Sequence, residues 1–262
     1  MKTNQELFVQ QHKKHHRMIL ILRILLIVCF LLLWEYAARK NYIDAFFFSS
    51  PSDVYHCFIQ LYQESNLLNH IGVTLLETIC SFFLVILLSL LVASILWHFD
   101  KAAEVLEPYL VVLNSLPKSA LAPLFIVWLG TGIRTIIVAG ISVAIFGAII
   151  SLYTAFKQTD PEKIKLITTL GGNKKQAFYL VVIPYNIPVI ISNMKVNIGL
   201  ALVGVIIGEF LAAKRGLGYL IIYGSQVFKL SMVITSIVIL CIIAMLFYGG
   251  LQTLEHHYKK KV

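Results

Sequence analysis

Six stretches of this chain are long, apolar and almost free of charge, and each has the length that a helix needs to cross a lipid bilayer. They run from Met18 to Ala37, Ile71 to Trp97, Pro108 to Leu129, Ile133 to Phe156, Pro184 to Ala212 and Ser231 to Leu254. A hydrocarbon core about 30 Å thick takes roughly 20 residues of helix. Inside that core a backbone must satisfy its own hydrogen bonds, so such runs fold as helices. The expected fold is all-α, a polytopic membrane protein with six transmembrane helices. Composition agrees, since 58% of the 262 residues are hydrophobic, 13% are charged and mean hydropathy is +0.82. A soluble domain is nearer 45–50% apolar and about 25% charged. A soluble enzyme, a secreted disulfide scaffold and a disordered chain are thereby excluded.

The first run follows a basic leader with Lys13, Lys14 and Arg17, the pattern of a secretory signal. Neither Glu35 nor Tyr36 is the small residue that cleavage would need, so an uncleaved span is expected. With the N-terminus inside, fourteen of the 22 lysines and arginines fall on inner segments or toward the inner end of a span (Arg23), six on outer segments or at the outer end of a span (Arg134), and Lys118 and Lys195 lie deeper within spans. That excess places both termini in the cytoplasm. The net charge of +9 is therefore a matter of topology, and no nucleic-acid partner is expected. The four cysteines show neither CxxC nor metal-ligand spacing. The HKKHH run at 12–16 and the His256–His257 pair read as basic flanks at the headgroups, so no metal site is expected.

The resulting division is a basic N-terminus (1–17), a first span (18–37), an outer segment (38–69), a five-helix core (70–254) with a long inner loop at 157–183, and a basic tail (255–262). In the outer segment Pro51 sits where a helix starts. Val54, Phe58, Leu61 and Tyr62 then recur at helical spacing, which predicts a short amphipathic helix outside the bilayer.

The loop between spans four and five is the most informative segment. Asp160 before Pro161 is a helix N-cap with proline at the first helical position. Ile164, Leu166, Ile167 and Leu170 give the helix an apolar face. Gly171 and Gly172 suit a left-handed helix end, and Asn173 can cap a second helix from Lys174 to about Val182. Pro184 and Pro188 open the fifth span. Periodicity alone fits either a hairpin resting on headgroups or an apolar ridge that docks into a partner's groove.

This frame resembles the "EAA" coupling loop of ABC-importer permeases, in which a glycine follows the triplet and a proline opens the next span. Gly171, Pro184 and Pro188 match, whereas Lys165, Leu166 and Ile167 stand in place of the triplet. Three further stretches are similar to the nitrate/sulfonate/taurine branch of that family. They are LNSLPKSALAPLFIVWLGTG from Leu113, HIGVTLLETICSF from His70, where Glu77 replaces a common arginine, and GEFLAAKRGLGYLI from Gly208. The resemblance implies a type I ABC-importer permease fold with a cytoplasmic coupling helix between spans four and five. It implies ABC ATPase subunits docking on Lys165, Leu166, Ile167, Leu170, Gly171, Gly172 and Pro184. An extracytoplasmic substrate-binding protein and a second permease chain, most simply a homodimer, would complete the assembly in a bacterial inner membrane. The solute expected from the branch is a sulfonate, taurine, nitrate or pyrimidine-like compound.

Nothing in the chain matches a nucleotide-binding loop, so ATP and magnesium belong to the partner ATPase and no catalytic residue is expected. Glu209, an intramembrane carboxylate, is a candidate for the translocation pathway or its gate, or else forms a structural ion pair or hydrogen bond, for instance with Lys214 or Arg215. Lys118, after Pro117 and near Asn114, is a second pathway candidate, about 15 Å along the third span. Lys195 is expected to snorkel. Gly216 and Gly218 break the fifth span and predict a short re-entrant or interfacial helix at the outer turn. Gly204 and Gly208 form GxxxG beside a small face at Gly140, Ala144 and Gly147, open to packing within the chain or between chains. An ion-coupled secondary transporter is the alternative class, though no repeated halves are visible.

Overall fold

The computed structural model describes residues 4–64 and 66–259, and among these it is helical with no strand. The helices are α1 (Asn4–Arg39), α2 (Ala45–Phe48), α3 (Pro51–Glu64), α4 (Leu67–His98), α5 (Asp100–Ser115), α6 (Lys118–Leu129), α7 (Ile133–Lys157), α8 (Pro161–Thr169), α9 (Lys174–Ala177), α10 (Ile183–Ala212), α11 (Leu217–Gln226) and α12 (Leu230–Lys259). A π-helical turn, Phe178–Val182, joins α9 to α10. Five stretches are long and apolar enough to cross a membrane: Arg17–Arg39, Leu67–His98, Ile133–Lys157, Lys174–Ala212 and Leu230–Glu255. The expected third span is instead two helices, α5 and α6, bent by 96°. Pro117 disfavours helical backbone in the residue before it, and Leu116 is extended, with ψ 139°.

The fifth span also differs from expectation. It does not begin at Pro184 but runs back through the π-turn to Lys174. A proline inside a helix lacks an N–H and crowds the preceding turn. Widening that turn to i→i+5 lets the helix continue past Pro184.

The chain packs as two compact units, one from residues up to 65 with Gly224–Thr235, the other from Asn66–Tyr223 with Ser236 onward. In the first, Glu35 near the end of α1 accepts from the Ser52 amide (3.1 Å) and hydroxyl (2.7 Å) at the start of α3, and pairs with Arg39. The expected helix at Pro51 is present, but its apolar residues divide. Leu61 is buried, whereas Phe58 and Tyr62 face outward. The side chains of His12, Lys13, Lys14, His16, His256 and His257 lie outside the described residues.

In the second unit α4, α7 and α10 pack around one another. The small residues set how closely they approach. A Cβ on Gly204 would lie 2.8 Å from the Ala139 carbonyl and from the Gly140 Cα, and one on Gly208 would lie 2.9 Å from the Ile136 Cα. The GxxxG face is thus used within the chain, with α10 lying backbone-to-backbone on α7. Lys195 does not snorkel. It pairs with Glu255 of α12 and lies over the Tyr248 ring. Asn197 and Asn193 bond each other along α10, and Ser115 and Ser142 bond carbonyls of their own helices.

Gly204→Val should force α7 and α10 apart at about 1–3 kcal/mol and lower the melting temperature in detergent. Gly249→Ala, where a Cβ meets nothing within 4 Å, should leave it unchanged or raised. Equal melting of the two variants would contradict the packing described.

Candidate functional site

Three clusters in the second unit gather the residues that the sequence singled out. The first lies between α7 and α10. Asp160 accepts from the Glu162 amide at 2.9 Å and starts α8. The helix ends in a Schellman motif, with the Gly172 amide bonding the Ile167 carbonyl (2.9 Å) and the Gly171 amide bonding that of Thr168 (3.1 Å). Gly171 takes φ +85°, a left-handed conformation that favours glycine. Asn173 and Gln176 then form a reciprocal capping box on α9.

This element is held from one side and open on the other. Ile164 packs against the core that Phe156, Phe178 and Val182 form at this end of the bundle. Phe178 lies 5.0 Å from Trp97, 5.0 Å from His98 and 5.5 Å from Phe156, ring centroid to centroid. Lys174 donates to the His98 carbonyl (2.9 Å) and pairs with Asp100 (3.4 Å). Leu166 and Leu170, one turn apart, project outward at 58% and 76% exposure. Lys165 is exposed beside them. The expected apolar face is therefore split, with Ile164 and Ile167 partly buried and Leu166 and Leu170 free. Pro184 stands apart from this ridge, beyond the π-turn.

The second cluster surrounds Glu209, which has no exposed surface. Its carboxylate accepts from Thr74 Oγ1 at 2.7 Å and from the Gly218 amide at 2.5 Å, and the Tyr219 amide also bonds it. Thr74 Oγ1 accepts from the Leu217 amide at 2.8 Å, and His70 Nδ1 from the Gly216 amide at 3.1 Å. The N–H groups that open α11 thus end on side chains, and the positive end of the helix faces a carboxylate. Glu77, also buried, lies beside Glu209. The ion pair with Lys214 or Arg215 is not formed, and both of those residues are exposed. Gly216 and Gly218 are required here. Gly216 has φ +116° and its Cβ would fall on the Glu209 carboxylate, while a Cβ on Gly218 would lie 2.8 Å from Glu209 Cβ.

The third cluster is the α5–α6 break. Lys118 is not deep within a span but is the first residue of α6. Its ammonium donates to the carbonyls of Leu113 and Asn114 (the latter at 3.0 Å), at the end of α5. It also lies 5.4 Å from the Phe146 ring centroid. Asn114 Oδ1 lies against Gly147 of α7, where a Cβ would come within 3.3 Å.

Sequence reasoning singled out the glycines, Glu209 and the apolar ridge of α8. It missed Phe178, Lys174 and Trp97, which hold the ridge, and Thr74 and His70, which receive α11. A motif window shows polar residues near a glycine turn but not that their helices meet.

A family model described as "binding-protein-dependent transport system inner membrane component" matches residues 46–257. A probable ABC transporter permease protein of Haemophilus influenzae is 28% identical over 240 residues, covering 91% of this chain and 97% of that protein. The formylaminopyrimidine transport permease protein ThiX of Halalkalibacterium halodurans is 27% identical, covering 86% of this chain and 90% of its own. The taurine transport system permease protein TauC of Escherichia coli is 23% identical, with coverage of 86% and 84%. A chain of the MetNI methionine ABC transporter, solved facing inward, superposes with TM-score 0.66 at 19% identity, covering 73% of this chain and 95% of that one. That likeness is one of fold.

Glu209→Ala should leave Thr74 and the Gly218 amide without their acceptor, at about 1–3 kcal/mol for each buried group. The expected result is a lower melting temperature and faster hydrogen exchange at 217–219. Glu209→Gln, which keeps one acceptor oxygen, should be milder. Unchanged exchange in the alanine variant would detach Glu209 from α11.

Proposed function

The chain belongs to the family of binding-protein-dependent transport system inner membrane components, and on that footing we propose how this permease subunit of an ABC importer is coupled and gated. As a multi-pass transport component it is not an enzyme, and its family implies an ATPase and a substrate-binding protein as partners. In the reading proposed here, ATP and magnesium act in the ATPase. That subunit receives the ridge of Lys165, Leu166 and Leu170, which Gly171 and Gly172 hold in place. The observation that carries this is the exposure of Leu166 and Leu170 on an element otherwise fastened to the core through Phe178 and Lys174.

From Lys174 the helix continues to Ala212, a length of about 58 Å at 1.5 Å per residue. Displacement of the ridge would therefore move the Phe178 cluster and travel along α10 toward Glu209. Glu209 acts as a latch on α11, the gate element opened by Gly216 and Gly218, and not as an anion-binding group. Asn114, Pro117 and Lys118 hold the bent pair, whose exposed apolar residues, including Val112, Val127 and Trp128, suit a second copy of this chain. The translocation pathway lies along that face of a homodimer. Both termini and the ridge face the cytoplasm, and the binding protein docks on the opposite side.

The solute proposed is small and polar, of the sulfonate, taurine, nitrate or pyrimidine-like kind, a reading supported by the names of the formylaminopyrimidine and taurine relatives. Selection among these falls to the binding protein.

The test is a mild-detergent pull-down of the tagged chain from its native membrane, repeated with Gly171→Val and with Leu166→Asp/Leu170→Asp. The native chain should retain an ATPase carrying a phosphate-binding loop. Both variants should insert normally, lose that partner and lose substrate-stimulated ATP hydrolysis. Normal stimulation in either variant would end the coupling role. Concentrative uptake by the chain alone in proteoliposomes would favour the self-powered carrier.

A further inference from the structure

Helix α3 carries an aromatic stripe that no part of its own unit covers. Tyr55, Phe58 and Tyr62, at i, i+3 and i+7, are 64%, 41% and 55% exposed. At 100° per residue they lie within about 60° of one another, and Asp53 and Gln60 lie about 160–180° away around the same helix. Leu61, between the two faces, supplies the contact with the unit's interior. The polar face, with Asp53, His56, Gln60 and Glu64, lines a cavity of about 380 Å³ beside Lys229. A helix with an aromatic strip opposite a charged face suits a boundary between an apolar phase and water.

The position of α3 matches such a boundary. Its first turn is fixed by Glu35, which holds Ser52 through two hydrogen bonds and also pairs with Arg39. Glu35 is one turn inside the end of the Arg17–Arg39 span, about 6 Å along α1 from Arg39. The start of α3 is therefore pinned where hydrocarbon gives way to headgroups. The segment between the two helices adds Tyr42 and Phe46 to Phe48, all exposed, and aromatic side chains concentrate at that level of a bilayer.

We propose that α3 is a membrane-surface helix, lying along the headgroup layer at the C-terminal end of α1, with Tyr55, Phe58 and Tyr62 in the lipid and Asp53, His56, Gln60 and Glu64 toward water. Its occupant is lipid, not a second protein. The polar face and its cavity are thereby held at the membrane surface. In the orientation proposed above this is the outer leaflet, but the lipid contact does not depend on that orientation.

The test is nitroxide scanning of the assembled transporter in phosphatidylcholine vesicles, with single cysteines at 53, 55, 58, 60 and 62 in a chain whose four native cysteines are replaced. Labels at 55, 58 and 62 should be several-fold more accessible to oxygen than to a water-soluble nickel chelate, with the reverse at 53 and 60. Low access to both probes at the stripe would mean that protein covers it, and equal access around the helix would mean that it stands in water. Either result overturns the proposal. Should the replaced chain fail to assemble, Phe58→Trp and Gln60→Trp in the otherwise native chain read the same contact. The emission added at 58 should be strongly quenched by lipid brominated high on its acyl chains, and that added at 60 should not. Equal quenching at the two positions overturns the assignment.

Discussion

Every interruption of a helix within an apolar bundle frees backbone groups that lipid cannot bond, and the form of this protein follows from where they are sent. At the α5–α6 break the Lys118 ammonium takes the carbonyls of Leu113 and Asn114. After Ala212, where the chain turns into α11, Thr74, His70 and Glu209 take the amides of Leu217, Gly216 and Gly218. At α8 the freed groups return to the helix itself through the Schellman turn at Gly171. Two of the breaks are thus closed by a few identifiable side chains and the third by the backbone itself, and in the proposed mechanism the breaks are the places from which movement would be transmitted.

The bundle between them resists such movement. Glycine at 204 and 208 brings α10 against the backbone of α7, where no side chain can give way, and Gly140 brings Ser81 of α4 equally close. A push on one end of this trio is carried to the other rather than absorbed by repacking, because close-packed interiors deform little. In the proposed mechanism the ridge of α8, fastened by Phe178, and the Glu209 cluster, fastened by Thr74, would communicate through that stiffness.

The spans were legible in the sequence because hydrophobic length is a one-dimensional property. Leu67–His98 and Ile133–Lys157 extend the expected limits by a few residues only. The Asp160–Pro161 cap and the glycine end of α8 were legible too, since both are local backbone chemistry. What escaped depends on neighbours in space. Periodicity grouped Val54, Phe58, Leu61 and Tyr62 as the apolar residues of α3, but period alone cannot say which of them meet protein. Hydropathy placed Lys118 in mid-span, although Pro117 already carried the signal for a break. Glu209 was visible as a costly carboxylate, whereas its side-chain partner Thr74 lies 135 residues earlier in the chain.

The π-turn at Phe178–Val182 puts one extra residue into what is otherwise a continuous helix. At 3.6 residues per turn, that residue rotates everything before it by about 100° relative to everything after it. The azimuth at which the α8 ridge leaves the bundle is therefore written in those five residues and not in the ridge itself. A chimera that imports a foreign ridge by splicing at Ala177 would keep this phase. One spliced after Ile183 would exchange the phase together with the ridge, and the imported apolar face would leave the bundle at a different azimuth.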